Sequence, residues 1–325
     1  MSKRLYNHLQ PVAQQALQQY GISDAHLRFI SDTGNIIFCA DTQQTRYAVR
    51  IYPEQFRSIS EIEGELYWLR DLKENSSLTV PNPLESRHGE LVQLVTEPKS
   101  GQVYQVVLFD WLPGDIVGEG ITAKVVQEIG RQMGELHQHA ATFKLTNGRF
   151  RDTTDWQAMQ QFTINMTPIQ RARLNTLLSP SEQAVCHEAA QQVATILDRI
   201  EATHHFGLIH SDLHAHNCLL HQGKLGLIDF EDCQYSPFTG DLAITLNSFS
   251  SHHDYPLLRE TFIHGYTAVL SLPNDAETQI NAFIVERALR LIRWVATWPD
   301  INHFPSGKEV ISTSLRLCRT YLQKV

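Results

Sequence analysis

Near residue 110 the hydrophobic period of the chain changes, and this limits the fold more than any other feature. Before that point the apolar residues read as short β segments around one main helix; after Trp111-Leu112-Pro113-Gly114 they recur at helical spacing. Val12, Ala13, Ala16 and Leu17 mark a short first helix that stops at Gly21. Strand-like segments at 27–30 and 36–40 flank the polar turn Ser31-Asp32-Thr33-Gly34-Asn35, and a third, Arg46 to Tyr52, ends at Pro53. A helix over 59–72 carries Ile62, Leu66 and Leu69 on one stripe and is broken by Val80-Pro81-Asn82-Pro83. Segments 91–95 and 103–109 then read as paired strands.

Later helices are marked by Val125, Ile129, Met133 and Leu136, by the stretch 184–200, and by Ile284, Ala288, Leu291, Ile292 and Val295. The exception is 217–228, two short strands around Gln222-Gly223. The order implies an α+β chain with a small β-rich lobe at 1–108, a hinge at 109–114 and a larger, mostly helical lobe at 115–325. With 325 residues, 42% of them apolar, the chain can bury a substantial core. Its formal charge of −8 and lack of a basic stripe argue against nucleic acid or an anionic membrane as partner. Cys39, Cys186, Cys218, Cys233 and Cys318 are scattered and form no C-x-x-C pair, which points to reduced thiols. The Gln-rich N-terminus lacks the apolar stretch of a signal peptide, and no run is long enough to span a membrane, so a cytoplasmic location is expected. Oligomeric state is not legible.

The chemistry concentrates in Ile209-His210-Ser211-Asp212-Leu213-His214-Ala215-His216-Asn217 and Leu227-Ile228-Asp229-Phe230-Glu231-Asp232. An Asp followed five positions later by an Asn, on a loop entered from an apolar strand, with a second Asp closing a short hairpin, is the spacing of phosphoryl-transfer sites. Ser211 and Glu231 depart from the protein-kinase form H-R-D-x-x-x-x-N with D-F-G. Transfer from ATP needs an acceptor hydroxyl in position and Mg²⁺ to neutralise phosphate charge. Asp212 suits the first task as general base, and Asn217 with Asp229 suits the second as hard oxygen ligands. His210 is placed to support the loop. A competing reading takes His210, His214, His216 and His221 as zinc ligands, but leaves Asn217 and the I-D-F-E-D segment without a role.

A phosphate-binding cation and an acid to hold it are expected upstream; Arg50 and Glu65 fit, with Glu61 one turn earlier as the alternative acid. The turn 31–35, with Gly34 as its one glycine, would cover the phosphates, and Phe109-Asp110-Trp111 would offer backbone groups to adenine.

With these pieces the chain resembles the aminoglycoside phosphotransferase-like family, which includes choline, homoserine and methylthioribose kinases and a bacterial stress-response Ser/Thr kinase. The strongest segments are H-S-D-L-H-A-H-N and L-I-D-F-E-D. Support comes from 61–69, 108–114, Leu136-His137-Gln138-His139 and Gly240-Asp241-Leu242-Ala243. The resemblance implies a bilobal protein-kinase-like fold and an ATP- and Mg²⁺-dependent transfer to a hydroxyl of a small molecule. It assigns Asp212 as base, Asn217 and Asp229 as Mg²⁺ ligands, Arg50 with Glu65 as the phosphate pair, and Asp241 as a brace for the loop. Relatives often carry Gly immediately before the Asn, where this chain has His216. The acceptor class spans amino alcohols, sugars and aminoglycosides, with Asn247, His252, Tyr255, Tyr266, Trp294 and Trp298 as helical-lobe residues that could line its site. A protein Ser/Thr acceptor, or an ATP-binding pseudokinase, is the alternative.

Overall fold

The computed structural model describes residues 7–32, 34–52, 57–118, 120–146, 148–150, 155–156, 158–200, 205–297 and 307–324, so Pro53, Thr33 and Trp298 lie outside the described residues. The chain divides into two compact units. The first holds 1–122, 132–151 and 215–233; the second holds 123–131, 152–214 and 234–325. The stretch 109–114 thus lies within the first unit, which also takes in the hairpin from the later chain.

In the first unit five strands form one antiparallel sheet: β1 (His26–Ser31), β2 (Ile36–Asp41), β3 (Arg46–Tyr52), β4 (Val92–Thr96) and β5 (Val103–Asp110), in the order β1-β2-β3-β5-β4. Period-2 alternation sorts β3 cleanly. Val49 and Ile51 join the core shared with α1 (Gln10–Gln19), where Val12 and Ala16 are buried, whereas Arg50 faces the other way and meets α2 (Ile59–Asn75). The helix α2 begins at a capping box in which Ser58 and Glu61 satisfy each other's backbone N–H groups, a device worth about 1 kcal/mol.

A second sheet, β6-β8-β9, is built from β6 (Asp115–Ile116), β8 (Cys218–His221) and β9 (Lys224–Leu227). Gln222 and Gly223 both take positive φ, 49° and 78°, as a two-residue turn between right-twisted strands requires. The hairpin is closed by Ile228 N–H donating to the Asn217 carbonyl at 3.0 Å and anchored by Leu227 N–H donating to the Thr79 carbonyl at 2.9 Å.

The second unit is helical around α8 (Ala276–Val295), which packs against α5 (Pro180–Leu197), α6 (Phe238–Ser248) and α9 (Gly307–Leu322) and buries Ile280, Phe283, Leu289 and Ile292. It also contains α4 (Pro168–Leu177), α7 (Tyr255–Thr267) and the first turns of α3 (Ala123–Ala140). The 217–228 hairpin is not the sole β structure of the later chain: β7 (Phe206–Ile209) pairs antiparallel with β10 (Gln234–Pro237), a strand too short and polar for its period to register. Helix α5 starts at Pro180 rather than 184, because Ser179 and Glu182 form a capping box ahead of the apolar stripe. The five cysteines are buried and form no disulfide, and no described helix is long and apolar enough to cross a membrane.

Candidate functional site

The boundary between the units falls inside the sequence motif, between His214 and Ala215, so its residues form two groups. In the second unit the loop leaving β7 is held from beneath by Asp241. One carboxylate oxygen accepts the His210 N–H and the other the Ser211 N–H, both at 2.8 Å, and Asp241 and His210 are fully buried. This explains why a buried acid sits in the first turn of α6: it replaces the backbone partners that β10 does not supply beyond the Gln234–Ile209 pair. His210 Nδ1 accepts the Asp212 N–H at 3.3 Å, a contact from the ring to the loop backbone. Ser211 adopts φ 69°, a left-handed turn that is uncommon outside glycine, and its hydroxyl accepts from Gln234 on β10 at 2.8 Å. Thr245 Oγ1 donates to the Leu213 carbonyl at 2.6 Å. Four hydrogen bonds to the backbone and one to the Ser211 hydroxyl therefore hold the loop that presents Asp212.

Both oxygens of Asp212 are engaged. Oδ1 lies 2.5 Å from Nη2 of Arg287 on α8, and Oδ2 lies 3.5 Å from Nε2 of His214. Burial opposes ionisation of Asp212, but the His214 hydrogen bond and the Arg287 charge outweigh it and hold its pKa below the ordinary carboxylate value. Sequence reading missed Arg287, because nothing in the Ile284–Val295 stripe distinguishes a cation aimed at a loop 75 residues away from one in solvent.

In the first unit Arg50 Nη1 donates to Glu65 Oε1 at 2.6 Å and to the Tyr52 hydroxyl at 3.2 Å. Nη2 lies 3.7 Å from Asp229 Oδ1, and the guanidinium carbon sits 4.8 Å from the centre of the Phe109 ring. Glu65 is fully buried, with Arg57 Nη1 3.8 Å from its second oxygen. Glu61, the alternative acid, is occupied by the α2 capping box and by Arg149 at 3.3 Å. Asp229, at φ 69° and ψ 60°, is bent out of the strand path after β9 and keeps a partly exposed carboxylate.

Glu231, unassigned from sequence, is drawn into the same group. Its carboxylate accepts a hydrogen bond from Asn35 Nδ2, and a Cβ placed on Gly34 would lie 3.1 Å from it. Burial, then the charge of Asp229, pushes its pKa up to about 8. Asn217 is buried in a single 3-10 turn, Ala215–Asn217, and His216 before it keeps negative φ, so this turn has no need of glycine there. The His216 ring instead packs toward Gly118, whose N–H donates to the Ala215 carbonyl at 3.0 Å. Trp111 is half-buried after β5, and Phe109 is buried in it. Among the described residues, three or more metal-ligating groups converge only at His252, His253 and Asp254, which does not include the histidines of the zinc alternative.

The sequence profile of the phosphotransferase enzyme family matches residues 27–278. The chain belongs to that family. It is accordingly a kinase, an enzyme that moves a phosphoryl group to an alcohol. Among curated proteins, the amicoumacin kinase of Bacillus subtilis (strain 168) is 27% identical over 241 residues, 74% of this chain and 68% of that protein. Two solved phosphotransferase structures share the fold over nearly the whole of both chains. A microcompartment-associated aminopropanol kinase superposes with a TM-score of 0.80 at 24% identity, covering 97% of this chain and 98% of that one. An amicoumacin kinase in complex with AMP-PNP and Ca²⁺ superposes with a TM-score of 0.76 at 21% identity, covering 100% and 97%. The bilobal α+β kinase-like architecture expected from sequence is thus the fold of this chain.

Proposed function

We propose that this phosphotransferase moves the γ-phosphoryl group of ATP to a hydroxyl of a small molecule, with residues 1–108 as nucleotide lobe, 109–114 as hinge and 115–325 as acceptor lobe. The reading is carried chiefly by Arg50: Glu65 and Tyr52 fix one of its nitrogens, and the other is turned toward the partly exposed Asp229. A buried cation anchored on one side and presented on the other suits the oxygens of a polyphosphate. Phe109 and Trp111 would take the adenine, and the turn containing Gly34 would lie over the phosphates.

Asp212 would orient the acceptor hydroxyl and take its proton as the oxygen–phosphorus bond forms. Its lowered pKa keeps it ionised at neutral pH, so its main contribution is orientation. Asn217 and Asp229 fit Mg²⁺, since they offer a buried amide and a partly exposed carboxylate, both hard oxygen donors. When bound, Mg²⁺ supplies charge neutralisation at the phosphates. Asp241 and His210 hold the loop that carries Asp212.

ATP turnover measured with a panel of amino alcohols, hydroxy acids, pentoses, aminoglycosides and a generic protein acceptor tests this, with Asp212→Asn as control. Acceptor-dependent ADP release that the control lacks is expected. Turnover with the protein acceptor alone would overturn the small-molecule assignment.

A further inference from the structure

The Asp212–Arg287 pair carries information about the acceptor. Arg287 is only 18% exposed at its side chain, yet of its five N–H donors one is engaged, by Asp212 Oδ1. Among the described residues no other protein acceptor takes the remaining donors, and none of its nitrogens is a buried unsatisfied atom, so those donors open onto solvent. Arg290, on the next turn of α8, is consumed by a two-bond pair with Glu286 at 3.0 and 2.6 Å. Arg287 is therefore a cation beside the proposed base with most of its hydrogen-bonding capacity unspent.

An isolated Asp212 would attract a cationic acceptor. Arg287 offsets that field, and an ammonium brought to the same place meets a guanidinium whose paired carboxylate, Asp212, already has both oxygens engaged. A carboxylate gains instead: the planar fork of Arg287 can receive it on the N–H groups that Asp212 leaves free. Because Arg287 already shares its charge with Asp212, a singly charged carboxylate matches what remains better than a phosphate dianion.

We propose that Arg287 recognises the acceptor through a carboxylate near the reacting hydroxyl, making the substrate a small hydroxy acid or hydroxy amino acid. This rests on the reading of Asp212 as the residue that meets the acceptor hydroxyl. It also separates this chain from an enzyme for a plain amino alcohol.

Calorimetric titration in the presence of Mg²⁺ and AMP-PNP tests it, with glycolate, lactate, glycerate, serine and homoserine set against ethanolamine and aminopropanol. The carboxylate-bearing probes are expected to bind the wild-type protein more tightly than the amino alcohols. Arg287→Gln should weaken them by about 10- to 100-fold, as loss of a charge-assisted pair does. Arg287→Lys should recover part of that affinity, which a merely structural role would not require, and it serves where the Gln variant fails to fold. Carboxylates binding no better than amino alcohols, or unchanged in both variants, overturn the proposal. Asp212→Asn separates the two readings. Carboxylate binding that depends on Arg287 without phosphorylation of any probe supports this assignment and sinks the transfer scheme. Phosphorylation of amino alcohols alone, abolished in Asp212→Asn, sinks the assignment and leaves the transfer scheme standing.

Discussion

Arg50 and Arg287 each meet a carboxylate at hydrogen-bond distance, but in opposite circumstances. Arg50 is 8% exposed, its partner Glu65 is fully buried, and Tyr52 and the Phe109 ring close around it. Arg287 and Asp212 are 18% and 23% exposed, and Arg287 keeps donors that no described residue uses. The first pair is a permanent fixture, since separating it would strand charge in the interior. The second can exchange partners with little desolvation cost, which suits a contact that a substrate must enter. Burial, rather than ion-pair distance, separates a pair that stays closed from one that can open.

The largest test of that contrast is Asp212→Asn. If Asp212 is a working residue, kcat falls by about 10²- to 10⁴-fold while stability at neutral pH falls by far less than for a buried pair, only by what its depressed pKa contributes. A large stability loss with kcat intact would place Asp212 on the scaffold side instead. Glu65→Ala should do the reverse first: two guanidinium groups, Arg50 and Arg57, lose their buried counter-charge, at a cost of about 3–5 kcal/mol in folding free energy. Equilibrium denaturation reads this directly, and a loss under about 1 kcal/mol would show that the pair is not the fixture its burial indicates. Asp241→Asn lies between them. Its carboxylate accepts from His210 and Ser211 at once, and an amide can keep just one of those bonds as acceptor, so stability should drop by about 1.5–3 kcal/mol together with kcat.

The same contrast accounts for what the sequence made legible. Arg50 could be found because β3 alternates and α2 follows directly, so strand period and helix stripe place its pairing with Glu65 within reach. The choice between Glu61 and Glu65 turned on a cap: Glu61 answers Ser58 at the start of α2, a signal visible in Ser58-Ile59-Ser60-Glu61 once the box is considered. Asp212, Asn217 and Asp229 stood out by spacing, and the strands bounding Gln222-Gly223 by turn chemistry. Arg287 did not stand out, because its partner lies 75 residues away and a cation on a helix stripe has no local signature of its target. The strand β10 was missed for the same reason, its four residues being fixed by pairing with β7 rather than by their own pattern. Local period reveals elements and local motifs, whereas charge pairing across long sequence separation is written in the tertiary structure.

Glu231 offers the smallest and most selective test, because it titrates where Asp212 does not. Its folded pKa, about 8 against an ordinary 4.5, means that the folded protein holds a proton the unfolded chain has already released across that window. Stability should therefore fall as pH rises from about 4.5 toward 8, with a slope of at most about 1.4 kcal/mol per pH unit. Asp212 has the opposite sign. Its folded pKa is depressed, so its contribution is present at neutral pH and is lost only as pH falls through a value below the ordinary carboxylate range. Between about pH 5 and 8 Glu231 thus adds a downward component to the stability curve, and Glu231→Gln, which cannot ionise, should remove that component and leave the share of the 16 histidines in place. Urea denaturation of both proteins across that range gives the answer: a slope identical in the two would show that the folded protein does not hold a proton on Glu231 beside Asp229.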